Sequence, residues 1–276
     1  MIHSSRRRVY LVMCALAAMV AAAAPASAQY NPRPLDDPAT GETYHIEGAA
    51  SLWFPTANIV LSSESLGIPG SLIDFKQDLG LTDQRFPALE LQLRPARSHK
   101  FRLEYIPINF SQSATLHQDI VFNGQLYHVG LPVNSVLDWK AWRFGYEYDF
   151  IVKNRGFAGF VTELKYTDVS ATLATPLLNE FDRARAPIPA LGGIGRVYVV
   201  PNISITGEVT GFKLPDNVVK GASGHYVDVD VYATLNFTNN LGVKAGYRSM
   251  DLGYAFKTDA GTFTLRGIYV GVVARY

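Results

Sequence analysis

Apolar and polar residues alternate with a period of two along most of the chain, the repeat of a β-strand whose two faces meet different surroundings. The final stretch shows it plainly. Ile268, Val270, Val272 and Ala274 share one face, Gly267, Tyr269, Gly271, Val273 and Arg275 the other, and the sequence closes on Tyr276. Equally regular is the run in which Trp142, Phe144, Tyr146, Tyr148 and Phe150 alternate with Arg143, Gly145, Glu147 and Asp149. Five aromatic side chains on one face are a solubility liability in water. In a bilayer they are a lipid-facing surface with an aromatic girdle.

In chain order the same pattern predicts ten strands. The first covers about Thr43 to Phe54, with Ile46, Gly48, Ala50, Leu52 and Phe54 on one face. The second, about Phe86 to Arg94, sets Leu89, Leu91 and Leu93 against Glu90, Gln92 and Arg94. The third, from Lys100, sets Phe101, Leu103 and Tyr105 against Arg102 and Glu104, and the fourth ends in the aromatic run. The fifth places Phe160, Leu164 and Tyr166 opposite Glu163 and Lys165; the sixth covers about Gly192 to Val199; the seventh sets Ile203, Ile205 and Val209 against Ser204, Thr206 and Glu208. In the eighth, Val227, Val229 and Val231 oppose Asp228 and Asp230, and in the ninth Val243, Ala245 and Tyr247 oppose Lys244, Gly246 and Arg248.

Connections near 95–99, 152–156, 200–202 and 238–240 read as short. Those near 55–85, 112–130, 174–190 (with Asp182, Arg183 and Arg185), 213–224 and 257–262 read as longer loops. Pro107 marks a bulge or a locally unpaired site. Asn123-Gly124 is a hairpin signal where strands three and four would meet. Alternating short turns and longer loops are expected of a transmembrane barrel and not of a soluble sandwich. The expected fold is all-β: a transmembrane antiparallel up-and-down β-barrel of about ten strands, spanning 43–276. Eight or twelve also fit, depending on how 71–81 and the Asn123 hairpin are counted.

The N-terminus alters this picture in one respect. Arg6, Arg7 and Arg8 precede an apolar run from Val9 to Ala24 and the small residues Ala26 and Ala28. That is the pattern of a signal peptide cleaved after Ala28, so 1–28 is set aside and 29–42, rich in proline, becomes a periplasmic lead-in. The single cysteine, Cys14, leaves with the leader, and the remaining chain has no disulfide to rely on. It keeps 22 basic and 24 acidic residues, a formal charge of −2 that gives no reason to expect nucleic acid.

The inferred lumen face carries Arg94, Arg102, Arg143, Lys165, Arg196, Lys244, Arg248 and Arg275 against Glu47, Glu90, Glu104, Glu147, Asp149, Glu163, Glu208, Asp228 and Asp230. So even a balance suggests a charge-paired filling; the competing reading is a charge-lined pore. Barrels near eight strands are filled by side chains, whereas aqueous porins need about sixteen. For catalysis, His45, His99, His117, His128 and His225 show no nucleophile or acid set of a known kind. Asp74, Asp78 and Asp83 are the thin case for a loop calcium site. No catalytic residue, cofactor or metal is expected.

The chain resembles small single-chain outer-membrane β-barrels of Gram-negative bacteria. Through Asp78-Leu79-Gly80-Leu81, Tyr146-Glu147-Tyr148-Asp149 and Gly246-Tyr247-Arg248 it is also similar to a loose family of uncharacterised outer-membrane β-barrel proteins. The resemblance implies outer-membrane residence as a monomer, contact with lipid and lipopolysaccharide, and recognition of the C-terminal strand by the barrel-assembly machinery. It implies no activity. The role expected first is structural or surface interaction, with Trp142, Phe144, Tyr146, Tyr148, Phe150 and Tyr276 as the membrane girdle. A narrow channel for small solutes is the alternative, and a lipid- or peptide-modifying enzyme a third.

Overall fold

Period-two alternation over so many stretches gives strands, and a computed structural model shows how they close. It describes residues 39–62, 70–175, 179–219, 221–256 and 259–276. The expected signal peptide and residues 29–38 of the lead-in lie outside the described residues. The strands are β1 (Ile46–Ser62), β2 (Ile73–Asp74), β3 (Phe86–Ala96), β4 (His99–Thr115), β5 (Ile120–Phe122), β6 (Gln125–Tyr127), β7 (Pro132–Lys153), β8 (Gly156–Ala174), β9 (Asn179–Val200), β10 (Ile203–Val219), β11 (Ala222–Asn236), β12 (Leu241–Phe256) and β13 (Asp259–Arg275). Ten of them, β1, β3, β4 and β7 to β13, pair antiparallel in sequence order. β13 then pairs back onto β1 from Glu47↔Arg275 to Ser62↔Ala260, so the sheet is a closed barrel.

The barrel has two storeys of opposite polarity. In the storey nearer the chain ends, apolar residues face out and charged residues face in. Leu89, Leu91, Phe101, Phe144, Phe160, Ile205, Val229, Ile268 and Val270 are exposed on the outside, while Lys100, Glu147, Asp149, Glu163, Lys165 and Asp228 are buried inside. Along β13 this belt runs from Ile268 to Tyr276. At ~3.3 Å per residue and a tilt of ~40° that is roughly 20 Å, near the height of the apolar band of a membrane barrel.

Above the belt the outward positions turn polar together: Thr56, Asn109, Lys140, Asp168, Arg185, Lys213, His225, Asp251 and Arg266. The inward positions turn apolar at the same level. Ile59, Leu61, Phe110, Leu137, Trp139, Val169, Leu173, Leu252, Phe263 and Leu265 form a continuous buried cluster. This storey is organised like a water-soluble β-protein.

Three of the expected loops are therefore largely strand, and a fourth, 55–85, gives up its first residues to β1, which runs past Phe54 to Ser62. Asp182, Arg183 and Arg185 belong to β9, most of 213–224 to β10 and β11, and most of 257–262 to β13. Clear of lipid, the outward face needs no apolar residues, so the backbone ladder continues where the outward apolar signal stops. Pro187 and Pro189 sit on a stretch of β9 that pairs with β8 alone, because the β9–β10 ladder ends at Gly211↔Leu191.

Pro107 causes no bulge: β4 and β7 pair without a register shift through Pro107↔Lys140. It is unpaired only toward β3, whose ladder with β4 stops at Leu89↔Tyr105. Because β3 is short, the wall between the upper parts of β1 and β4 needs another cover. The 70–85 segment supplies it, with β2 pairing at Val60↔Asp74 and Leu61↔Ile73, and Phe75, Leu79 and Leu81 buried.

The Asn123 turn is a hairpin of its own, β5–β6, and not the meeting point of β4 and β7, whose ladder ends at Thr115↔Pro132. Asn123 and Gly124 have φ of 48° and 78°, as a type I′ turn requires. Ile120, Phe122 and Tyr127 point into the apolar cluster, the Tyr127 hydroxyl donates to the Leu173 carbonyl at 3.1 Å, and Asn123 donates to Glu180 at 3.0 Å. The hairpin is a lid on the upper storey.

Candidate functional site

The strands of the lower storey bring their inward charges to the barrel axis, where they pair across it. Arg143 of β7 reaches Glu104 of β4 at 3.1 Å, Glu163 of β8 at 2.7 Å, Glu208 of β10 at 2.7 Å and Asp228 of β11 at 3.6 Å. Arg102 of β4 meets Glu208 at 2.6 Å and Glu147 at 3.4 Å. Lys165 meets Asp228 at 2.9 Å and Glu163 at 3.3 Å. Arg248 of β12 bonds Glu104 and reaches Asp228 at 2.9 Å. Four cations, Arg102, Arg143, Lys165 and Arg248, thus interlock with four carboxylates, Glu104, Glu163, Glu208 and Asp228. β4 and β10 stand four strands apart around a ring of ten, so these contacts span the lumen.

Around this centre lie the other inward charges. Lys244 holds Glu90 at 2.5 Å, Asp230 accepts from the Tyr269 hydroxyl at 3.0 Å, and Arg275 holds Glu47 at 2.5 Å and Asn236 at 2.7 Å. Asp149 and Glu147 share Lys100, at 2.9 and 2.5 Å. A small void of about 40 Å³ lies beside the network, lined by Glu90, Arg102, Glu104, Arg143 and Lys244 among others.

The terminal mouth is stoppered by the lead-in. Glu42 accepts from Arg196 at 2.8 Å and from the Tyr198 hydroxyl at 2.7 Å, and Arg94 lies 3.5 Å away. Burial works against this carboxylate, but Arg196 and Tyr198 prevail and bring its pKa down to about 2. Neither Glu42 nor Lys100 is among the interior residues expected from the sequence. Lys100 shares the phase of Arg102 and Glu104 and was legible on that ground. Glu42 precedes the first strand, where no periodicity points.

Outside, the aromatic residues stack along the belt. Trp142 packs on Tyr105 with ring centroids 4.3 Å apart and on Phe144 at 6.2 Å, Tyr146 on Phe101 at 5.4 Å, and Tyr148 on Phe160 at 5.5 Å. Phe150 and Tyr276 project freely, Tyr276 being 86% exposed.

The remaining candidates do not converge. Asp74 accepts the backbone N–H groups of Lys76 and Gln77, Asp78 that of Asp74, and Asp83 that of Ala57 while pairing with Lys76 at 2.9 Å. These carboxylates organise the 70–85 segment rather than a shared metal position. Burial pushes the Asp83 pKa up, but the Lys76 and Ala57 contacts outweigh it and leave it below its usual value. His45 lies against the Arg94 carbonyl, and His99 against the Tyr146 hydroxyl at 2.7 Å. His128–Asp119 on the lid (3.6 Å) and His225–Asp251 on the outer wall (3.3 Å) are exposed pairs far apart in the fold.

No family model matches the chain, and no curated protein matches it. Solved structures do. The outer-membrane protease OmpT from Escherichia coli is similar over 87% of this chain and 99% of its own, at 9% identity and a TM-score of 0.57. Neisserial surface protein A matches over 84% and 97% at 13% identity (TM-score 0.36), and the Pseudomonas putida toluene transporter TodX over 87% and 92% at 9% identity (TM-score 0.36). At such identities the likeness is one of fold. The chain has the fold of an outer-membrane β-barrel.

Proposed function

We propose that this protein resides in the outer membrane as a closed, non-catalytic barrel that presents its polar upper storey at the cell surface. The chain ends would then face the periplasm and the β5–β6 lid the exterior. The apolar belt and its aromatic stacks support the placement in lipid. Above them, an outward ring that sets Lys140, Arg185, Lys213 and Arg266 among Asp168 and Asp251 lies at headgroup level, its cations suited to the phosphates of lipopolysaccharide. β13, apolar on its outward face, is the strand offered to the barrel-assembly machinery, and a sheet closed by β13–β1 pairing suits a monomer.

The observation that carries the closed-lumen reading is the interlocked set around Arg143. Removing a buried ion from such a set leaves its partners uncompensated, so the charges hold each other in place and leave no aqueous path at that level. The protease activity of OmpT stays with OmpT, since 9% identity transfers fold alone.

The experiment is single-channel recording with residues 29–276 refolded into a planar bilayer. A folded, heat-modifiable barrel with no steady current is the expected result. A stable, charge-selective conductance would replace this reading with that of a channel.

A further inference from the structure

Within the upper storey lies a cavity of about 450 Å³ that the charged lumen does not share. Leu61, Val169, Ala171, Ile188, Leu252 and Phe263 supply its apolar lining, and Asp182, Arg183, Arg185 and Asp259 stand at its edge. Its size and lining fall in the range of small-ligand sites. The wall beside it is not sealed. β10 pairs with β9 only as far as Gly211↔Leu191 and thereafter follows β11, through Phe212↔Tyr226 and Leu214↔Gly224. β9 continues from Ala190 to Asn179 on β8 alone. Pro187 and Pro189 lie on that open edge, and with no N–H to donate they suit it better than a closed ladder.

The height of the seam indicates what enters it. Leu191, Pro189 and Pro187 are exposed on the outward face of β9, the two prolines opposite Leu164 and Tyr166 of β8, so the opening begins within the upper edge of the apolar belt. Two and four residues beyond Pro187, Arg185 reaches Asp168 at 3.4 Å and Arg183 binds the same carboxylate through two bonds of 2.7 and 2.6 Å. The two guanidinium groups, with Asp168 between them and Asp182 and Asp259 at the same edge, make a polar rim of mixed charge at headgroup level, its cationic donors on Arg183 and Arg185. An apolar chamber entered sideways from the top of the belt, past that rim, suits a molecule with one acyl chain and one polar head.

We infer that the chamber binds the acyl chain of an amphiphile drawn laterally from the outer leaflet through the β9–β10 seam, its headgroup remaining at Arg183 and Arg185. The inference rests on the outer-membrane placement proposed above. That placement fails separately, by partition of the folded chain into the aqueous fraction, which an acyl-binding measurement does not read.

The test is native mass spectrometry of the full-length refolded barrel, delipidated in short-chain detergent and titrated with laurate or with lauroyl lysophosphatidylethanolamine. One saturable acyl ligand per barrel is expected. Occupancy should fall at least ten-fold in Ala171→Trp, which fills the chamber, and in Ala186→Trp, an exposed position on the open edge where the substitution does not threaten the core. Ala245→Trp, on the outer belt, should bind as the parent does, and heat-modifiability reports folding of each variant. Preference for the lysolipid identifies a membrane lipid as the source, and preference for laurate a free fatty acid; either supports the site. Absence of stoichiometric binding to both probes, or equal occupancy in the folded parent and both folded chamber variants, overturns it.

Discussion

Asp228 shows at the scale of one residue why the lumen stays shut. Its carboxylate lies 2.9 Å from both Lys165 and Arg248 and 3.6 Å from Arg143, and it is fully buried. Asp228→Asn removes the charge and keeps the shape, leaving three cations with one counter-ion fewer. A loss of about 3–5 kcal/mol is expected. Asp168→Asn, which breaks the outer-wall pair with Arg183, should cost less than about 1 kcal/mol, because that pair is screened by water. Urea unfolding in lipid vesicles, followed by tryptophan fluorescence, compares the two. Similar losses would mean that water reaches the lumen cluster.

Glu42 adds a dependence on pH. Its pKa in the fold is about 2, below the ordinary 4.5, so ionised Glu42 stabilises the folded state. That contribution is complete above about pH 4.5 and disappears as the pH falls through about 2. The stability difference between the parent and Glu42→Gln should therefore be constant near neutrality and shrink through that acid window. A difference that grew on acidification would place Glu42 outside the Arg196–Tyr198 contact.

Among the elements, the strands of the belt were legible and the upper storey was not. The sequence shows why. On β13 the apolar positions are even from Ile268 to Ala274 but odd at Phe263 and Leu265; on β7 they are even from Trp142 to Phe150 but odd at Val133, Leu137 and Trp139. β4 changes between Tyr105 and Ile106, and β12 between Tyr247 and Met250. A one-residue change of phase within a continuous strand carries the apolar set from the outer face to the inner. Each change marks the level at which lipid gives way to water outside. Read as a single alternation, the pattern ends there and resembles the start of a loop.

The site divides along the same line. Inward charges of the belt keep phase with their strands and can be found by counting. The chamber depends on where the β9–β10 ladder stops, a tertiary fact to which Pro187 and Pro189 are the only local pointers. Two glycines test the elements that the pattern placed. Gly124→Ala, at φ 78°, should destabilise by about 1–2 kcal/mol and loosen the lid. Gly267→Ala should cost more, since a Cβ there would lie 2.1 Å from the Phe54 carbonyl oxygen at the level where the polarity reverses. Thermal unfolding in detergent measures both, and a harmless Gly267→Ala would show that β1 and β13 are not so closely apposed.

For the whole molecule the central claim is the inversion itself: one closed wall, apolar outside below and apolar inside above. It explains why a chain with a mean hydropathy of +0.05 can both face lipid and hold a core in water. A cysteine scan along β13 tests it most directly, because the one native cysteine, Cys14, lies in the expected leader. Single cysteines at Thr264, Leu265, Arg266, Ile268 and Val270, labelled with an environment-sensitive fluorophore in vesicles containing a lipid-borne quencher, report each level and face. The predicted result is strong lipid quenching at Ile268 and Val270, none at Thr264 and Arg266 with free access to an aqueous quencher, and protection from both quenchers at Leu265. Lipid quenching that continued through Arg266 and Thr264, or aqueous access at Leu265, would contradict the two-storey barrel.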